Sequence, residues 1–271
     1  MSGFTLLGSS GFIGSHVLAE LHRRGADVWT PGRDESLRGR PLGCVLYCVG
    51  LTADFRERTF DTVQAHVGHL QDVLQHAQFE SLLYLSSTRV YAGTDSTDED
   101  ACLRVCPTRV DSLYNISKLM GESLCLSCGR SAVRVARLSN VYGVNDTSSN
   151  FLTAVVSEAL TTGEVVLQTS LDSAKDYVDV RRIAELLPRI ARDGRRRVYN
   201  VASGENTTHA EIIGAIRRII PCVVNVPPDA PTVTYPVIST TRIREEFAWA
   251  PCRVLDDIEH LVNDRREAMR Q

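Results

Sequence analysis

The stretch FTLLGSSGFIGSHVLAELHRRG, from Phe4 to Gly25, limits the fold more than any other part of the chain. Four apolar residues, Phe4 to Leu7, read as a short strand. Gly8, Gly11 and Gly14 follow as a GxxGxxG. Ile13, Val17, Leu18 and Leu21 then keep a helical period until Gly25 ends it. Glycines at such a junction let the backbone turn tightly and come close to a charged group. The helix N-terminus then offers free N–H groups and a positive dipole end to an anion. In an open parallel sheet, the first strand-to-helix turn is where a dinucleotide pyrophosphate sits. Gly8, Ser10, Gly11, Phe12, Ile13 and Gly14 are therefore candidate coenzyme-binding residues.

Strand and helix patterns alternate through the first half. DVWT, CVLYCV, SLLYLSS and AVRVARL read as strands. Phe60 to Gln75, with Val63, Val67, Leu70 and Leu74 on one face, and Leu113 to Cys128 read as helices. CVLYCV is apolar throughout, as a strand covered on both faces must be. The expected fold is α/β, a Rossmann-type doubly wound parallel sheet with a smaller C-terminal α/β substrate lobe. After Tyr142 the pattern changes. Helices near Phe151–Leu160, His209–Ile219 and Asp256–Arg266 are separated by short strands and by proline-rich loops, VPPDAP and YPV. Residues 1–143 and about 176–203 are assigned to the dinucleotide-binding domain, and about 144–175 and 204–271 to the substrate lobe, with the cleft between them.

Net charge is −3 over 271 residues with both signs mixed, which gives no basis for binding nucleic acid or an anionic membrane. The run Arg195–Arg197 reads as a solvated turn before a strand. No apolar run is long enough to span a bilayer, and the start MSGFTLLGSSGF is not a signal peptide, so a cytoplasmic protein is expected. Of eight cysteines, Cys125 and Cys128 form a CxxC in a helical stretch and Cys102 and Cys106 lie upstream. That spacing fits no standard zinc site. The thiols are read as small apolar side chains, and no metal is expected.

The second strand of such a sheet usually ends in a carboxylate that holds the adenosine ribose. Here that place falls at about Gly32, followed by Arg33. Loss of the carboxylate removes repulsion against a 2′-phosphate, and an arginine can grip one bidentately, which tilts the coenzyme from NAD toward NADP.

Only two of the 30 basic residues are lysines, and one of them, Lys118, lies four positions after Tyr114 in YNISK. Residues at i and i+4 share a helix face. A nearby ammonium stabilises a phenolate, so Tyr114 becomes a usable acid or base, and Lys118 can also hold a nicotinamide ribose. Upstream, LYLSSTRVY ends an apolar strand in Ser86, Ser87 and Thr88, where hydroxyls can meet a ligand at the strand end.

With these motifs in order, the chain resembles the extended short-chain dehydrogenase/reductases of the NAD-dependent epimerase/dehydratase family. GSSGFIGSH, LSSTRVYAG, YNISK, RLSNVYG, KDYVDV, YNVASGENTT and TTRIREEFAWAP carry the resemblance over nearly the whole chain. It implies Ser87 as catalytic hydroxyl, Tyr114 as acid/base and Lys118 as its electrostatic partner. It implies Thr88 and Asn140 at the substrate and Lys175, in place of the usual arginine, as a phosphate contact. It also implies a homodimer through helices at about 59–77 and 113–128.

Departures refine this. Family 4,6-dehydratases carry Asp-Glu after the catalytic hydroxyl, where this chain has Thr88 and Arg89, which argues against dehydratase chemistry. A late arginine of the UDP-sugar epimerases is replaced around Pro227-Pro228, and the short link after the second strand lacks a β–α unit. The reading is an NAD(P)-dependent enzyme for a sugar, expected to be nucleotide-linked, working as ketoreductase or 4-epimerase. A non-catalytic NAD(P)-binding sensor is the alternative.

Overall fold

The computed structural model describes residues 3–52, 54–109, 112–144 and 150–270. The expected lobe boundary at 143/144 adjoins residues 145–149, which lie outside the described residues. The strands of the larger sheet are β1 (Phe4–Leu7), β2 (Val28–Trp29), β3 (Cys44–Tyr47), β4 (Ser81–Ser87), β5 (Val133–Leu138) and β9 (Val198–Val201). They run in the order β2-β1-β3-β4-β5-β9, every pair parallel. The chain turns one way from β1 to β2 and the other way to β3, so the strand order switches between β1 and β3. In open α/β sheets, ligands bind beyond the strand C-termini at that point. The sheet ends at β2, as the short link from Trp29 to Cys44 requires.

Both faces of the sheet are covered, which explains why its strands are mostly apolar. Helices α1 (Phe12–Arg23) and α6 (Val180–Asp193) close one face over Val17, Leu21, Leu46, Leu83, Ile183 and Leu187. The other face lies under α3 (His69–His76) and α4 (Ser112–Ser127), with Val45, Tyr47, Leu70, Tyr84 and Cys125 in its core. The helix predicted over Phe60–Gln75 forms as α2 (Thr59–Val63), a π-helical turn at Gln64–Gly68, and α3. The wider turn swings His66 fully inward, which a regular helical period does not foresee.

A second core packs α5 (Phe151–Thr161), α7 (His209–Arg217) and α9 (Val254–Ala268) through Leu152, Val156, Ile212, Ile216, Ile258 and Val262. Beside these lie two small sheets, β10 (Asn206–Thr208) with β8 (Ala174–Asp179) and β6 (Asn140–Tyr142), and β11 (Val223–Asn225) with β7 (Glu164–Val166). One boundary expectation needs correction. Helix α8 (Thr241–Phe247) was assigned to the substrate lobe, yet Ile243, Phe247 and Trp249 insert into the core of the large sheet. The indole Nε1 of Trp249 donates to Ala202 O at 2.8 Å, which fixes the segment there.

Two buried polar assemblies join these parts. The Asp176 carboxylate accepts from Ser203 N, Ser203 Oγ, Gly204 N and Glu205 N at 2.7–3.2 Å, tying β8 to the turn after β9. Deeper, the Arg137 guanidinium of β5 meets the Glu122 carboxylate of α4 at 2.7 Å, and only 5% and 4% of the two side chains are exposed. Ser86 Oγ donates to the same carboxylate at 2.5 Å, and Arg137 Nη1 donates to Tyr91 Oη at 2.7 Å. Tyr91 in turn donates to Asn200 Oδ1 of β9 at 2.9 Å. Removing one member of a buried pair leaves the other charge uncompensated. Glu122→Ala is therefore expected to lower unfolding free energy by about 3–5 kcal/mol, read from urea denaturation midpoints. An unchanged midpoint would show that the pair does not hold α4 to the sheet.

Candidate active site

The β1–α1 turn has the geometry of a cradle. Gly8 has φ +83°, and a side chain there would meet the Cys48 carbonyl carbon at 2.8 Å. A Cβ on Gly14 would lie 2.0 Å from Gly8 O, so only glycine allows the helix to pack this tightly on the strand. Gly11, the residue capping α1, gives no side-chain hydrogen bond to the helix end, and the first turn has no acidic residue. The first N–H groups of α1 therefore remain available to an anion. Ser10 and Gly11 are exposed, and Phe12 and Ile13 are half-buried behind them. This set fits the diphosphate of a dinucleotide.

Ser87, Tyr114 and Lys118 come together. Ser87 is the last residue of β4, and its Oγ accepts from Arg89 N at 3.2 Å, capping a 3₁₀ turn at Thr88–Tyr91. The Tyr114 hydroxyl is within hydrogen-bonding reach of Ser87 and Thr52. One turn along α4, Lys118 Nζ donates to Leu85 O at 2.9 Å and lies 5.9 Å from the Tyr114 ring centroid. Tyr114 is only 4% exposed and Lys118 only 5%.

The electrostatics differ from the sequence expectation that Lys118 acidifies Tyr114. Burial raises the Tyr114 phenol above its ordinary value, and the cation opposing that rise is the Arg89 guanidinium, 4.8 Å from the ring centroid. Burial brings Lys118 down to about 7, against the smaller opposing pull of Glu122 and Cys48. Desolvation outweighs the neighbouring charge at both groups. With this protein alone, Tyr114 is a protonated hydrogen-bond donor at neutral pH.

Sequence reasoning missed His66. Its Nε2 accepts from Leu51 N at 3.3 Å, so the neutral ring carries its proton on Nδ1, which donates to Ser117 Oγ at 2.8 Å. Ser117 Oγ donates onward to Tyr114 O at 3.0 Å. Burial first, and then the charge of Lys118, lower His66 to about 3. His66 thus stays neutral and ties the loop after β3 to α4 between Tyr114 and Lys118. Its ring also meets the Tyr114 ring edge-on at 5.4 Å. No local pattern marks it, because its role arises from the π-helical turn.

The other expected residues separate. Thr88 is buried in the 3₁₀ turn. Asn140 is exposed at the start of β6 and donates through Nδ2 to Asp176 O at 2.8 Å. Lys175 projects from β8 toward the Phe151 ring, 5.8 Å from its centroid. Arg33 is exposed in the loop after β2, where Gly32 N donates to a carboxylate the sequence reading passed over, that of Glu35, at 3.1 Å.

A parallel sheet with this cradle at its switch point defines a Rossmann-type dinucleotide-binding protein. Residues 4–202 match the NAD dependent epimerase/dehydratase family, and the chain belongs to that family. It is 24% identical to a dTDP-4-dehydro-6-deoxy-D-allose reductase of Streptomyces bikiniensis, over 81% of this chain and 82% of that protein. In fold it is similar to MoeE5 in complex with UDP-glucose and NAD, with TM-score 0.82 at 19% identity, covering 98% of this chain and 99% of that one. It is also similar to RMD from Pseudomonas aeruginosa complexed with NADPH, with TM-score 0.78 at 21% identity over 96% and 99% of the two chains. Among the described residues, no helix is long and apolar enough to cross a membrane.

With only two lysines in the chain, ε-¹³C-lysine labelling gives two signals that can be followed individually. The Lys118 signal, assigned by its loss in Lys118→Met, is expected to titrate near pH 7 in the coenzyme-free protein. Its ammonium is the species below that pH, and its neutral amine the species above. Titration in the ordinary lysine range near 10.4 would show that burial does not govern this group.

Proposed function

We propose that the protein is an NAD(P)-dependent ketoreductase acting on a nucleotide-linked keto-sugar. The observation that carries this reading is the convergence of Ser87, Tyr114 and Lys118 beside the glycine cradle at the sheet's switch point. The segment Gly8–Gly14 would hold the coenzyme diphosphate, Tyr114 and Lys118 its nicotinamide ribose, and Arg33 a 2′-phosphate of NADP. When bound, the nicotinamide supplies the hydride for the sugar carbonyl.

The chain's own residues then manage the oxygen. Ser87 Oγ and Tyr114 Oη, already within reach of each other, form two donors for a carbonyl placed between them. As charge builds on that oxygen, the protonated Tyr114 gives up its proton to it. A phenol held protonated by burial suits the reductive direction. Thr88 and Arg89 offer no carboxylate to remove a carbon-bound proton, so we do not assign 4,6-dehydration. The relationship to a keto-sugar reductase supports reduction over the 4-epimerisation that the same three residues could serve.

Apolar residues exposed along α2 and α4, Phe60 at 89% and Met120 at 50% with Val63 and Leu126 beside them, support a homodimer through these helices. Sedimentation is expected to give the dimer mass for the wild type and the monomer mass for Phe60→Asp. A monomeric wild type would end this assignment.

The functional test uses a panel of nucleotide-linked 4-keto-6-deoxyhexoses with NADPH and NADH. Tyr114→Phe is expected to lose about 10²–10⁴-fold in kcat while still binding NADPH. Turnover at the wild-type rate by that variant would remove the catalytic reading. NADPH binding with no turnover by the wild type on any sugar would favour a coenzyme-binding sensor.

A further inference from the structure

Several elements close on the ring of Tyr114. Along α4, Lys118 Nζ lies 5.9 Å from its centroid, yet donates to Leu85 O and lies nearer, at 5.2 Å, to the ring of Tyr84 on β4. The neutral His66 ring of the π-helical turn meets it edge-on. The loop after β3 brings Thr52 within hydrogen-bonding reach of the hydroxyl and the ring of Phe55 to 5.4 Å. The end of β4 brings Ser87 and, in the turn that follows, Arg89. With its guanidinium carbon 4.8 Å from the centroid, Arg89 is nearer to this ring than Lys118 is.

The chain holds Arg89 in that place. Its N–H donates to Ser87 Oγ at 3.2 Å, and Thr88, Val90 and Tyr91 on either side are buried, which anchors the 3₁₀ turn. Its guanidinium also lies 5.5 Å from the ring of Phe55, itself only 2% exposed and in contact with Arg56 at 4.6 Å. Among the described residues, no carboxylate pairs with Arg89. A guanidinium set on ring faces, with no carboxylate to neutralise it, directs its charge at those rings.

When Tyr114 gives its proton to a substrate oxygen, the phenolic O–H bond breaks and an O–H bond forms on the substrate. The electron pair stays on Tyr114 Oη and spreads into the ring. A cation against that ring interacts more strongly with the phenolate than with the neutral phenol, and an interaction that strengthens during the step lowers its barrier. We propose that Arg89 stabilises the Tyr114 phenolate as it forms, the part that sequence spacing gives to Lys118. This rests on the ketoreductase reading and adds to it a positioning residue, one that acts through Tyr114 without touching substrate. Burial keeps the phenol protonated, and Arg89 opposes that burial so that the proton can still leave.

The first arm of the test needs no substrate. Protein is grown with 3-fluorotyrosine, whose phenol is more acidic than that of tyrosine, and followed by ¹⁹F NMR without coenzyme. Of the eight tyrosine signals, that of Tyr114 is the one lost in Tyr114→Phe. Arg89→Gln and Arg89→Met are each expected to raise the pH at which it titrates by about 0.5–1.5 units, and Arg89→Lys to bring it part of the way back. An unmoved midpoint in the two neutral variants, or an equal movement of all tyrosine signals, overturns the proposal. So does a wild-type Tyr114 signal that fails to titrate before the protein unfolds, since Arg89 would then not counter burial.

The second arm uses the keto-sugar panel with NADPH. Arg89→Gln is expected to lower kcat about 3- to 30-fold, the change in acidity that the pH shift represents, with KM within about threefold of the wild type. A raised KM with unchanged kcat would place Arg89 at the substrate and overturn the proposal. If no keto-sugar turns over, the reductase reading fails and the fluorine titration still decides the role of Arg89. Tyr114-dependent turnover with an unmoved midpoint in Arg89→Gln overturns this inference alone.

Discussion

The buried ion pair between Arg137 and Glu122 is the interaction on which the arrangement of the site depends. Glu122 stands one helical turn beyond Lys118, which stands one turn beyond Tyr114, so fixing Glu122 fixes the rotation and height of the helix that carries both. The pair does more than join α4 to β5. Through Ser86 it reaches the end of β4, where Ser87 follows, and through Tyr91 and Asn200 it reaches β9. Charges this deep are tolerated only when every partner is in place, so the network permits few alternative positions for the Ser87 and Tyr114 hydroxyls. Donors held rigid before the reaction do not have to reorganise during it.

The same burial that rigidifies the site also sets its acid–base state. Proximity alone would make Lys118 a permanent cation that acidifies Tyr114. In the folded protein dehydration is the larger effect, raising the phenol and lowering the amine. Tyr114 therefore waits as a proton donor, and the cation opposing its burial is Arg89, 4.8 Å from the ring centroid. His66 remains neutral beside them and acts through its two ring nitrogens, one accepting from the loop after β3 and one donating toward α4.

Charge is thus distributed unevenly around the cleft. On its sheet side, Glu122 and Arg137 pair with each other. Arg89 and Lys175 each lie against an aromatic ring instead, Arg89 at Tyr114 and Lys175 at Phe151.

The sequence by itself determined the parallel sheet, the glycine cradle and the Tyr114–Lys118 pair. Each is encoded locally: strand apolarity by burial on both faces, the cradle by glycine spacing within one turn, and the pair by the i,i+4 geometry of a helix. The end of the sheet at β2 was legible too, because the link after Trp29 is too short for another unit. Tertiary structure alone decided the rest. Glu122 meets Arg137 across 15 residues of chain, His66 meets Ser117 across 51, and Trp249 returns to Ala202 across 47. No periodicity specifies such meetings. Nor does a spacing rule state how dry a side chain will be, and here the exclusion of water sets the protonation of Tyr114 and Lys118 more strongly than their neighbours do.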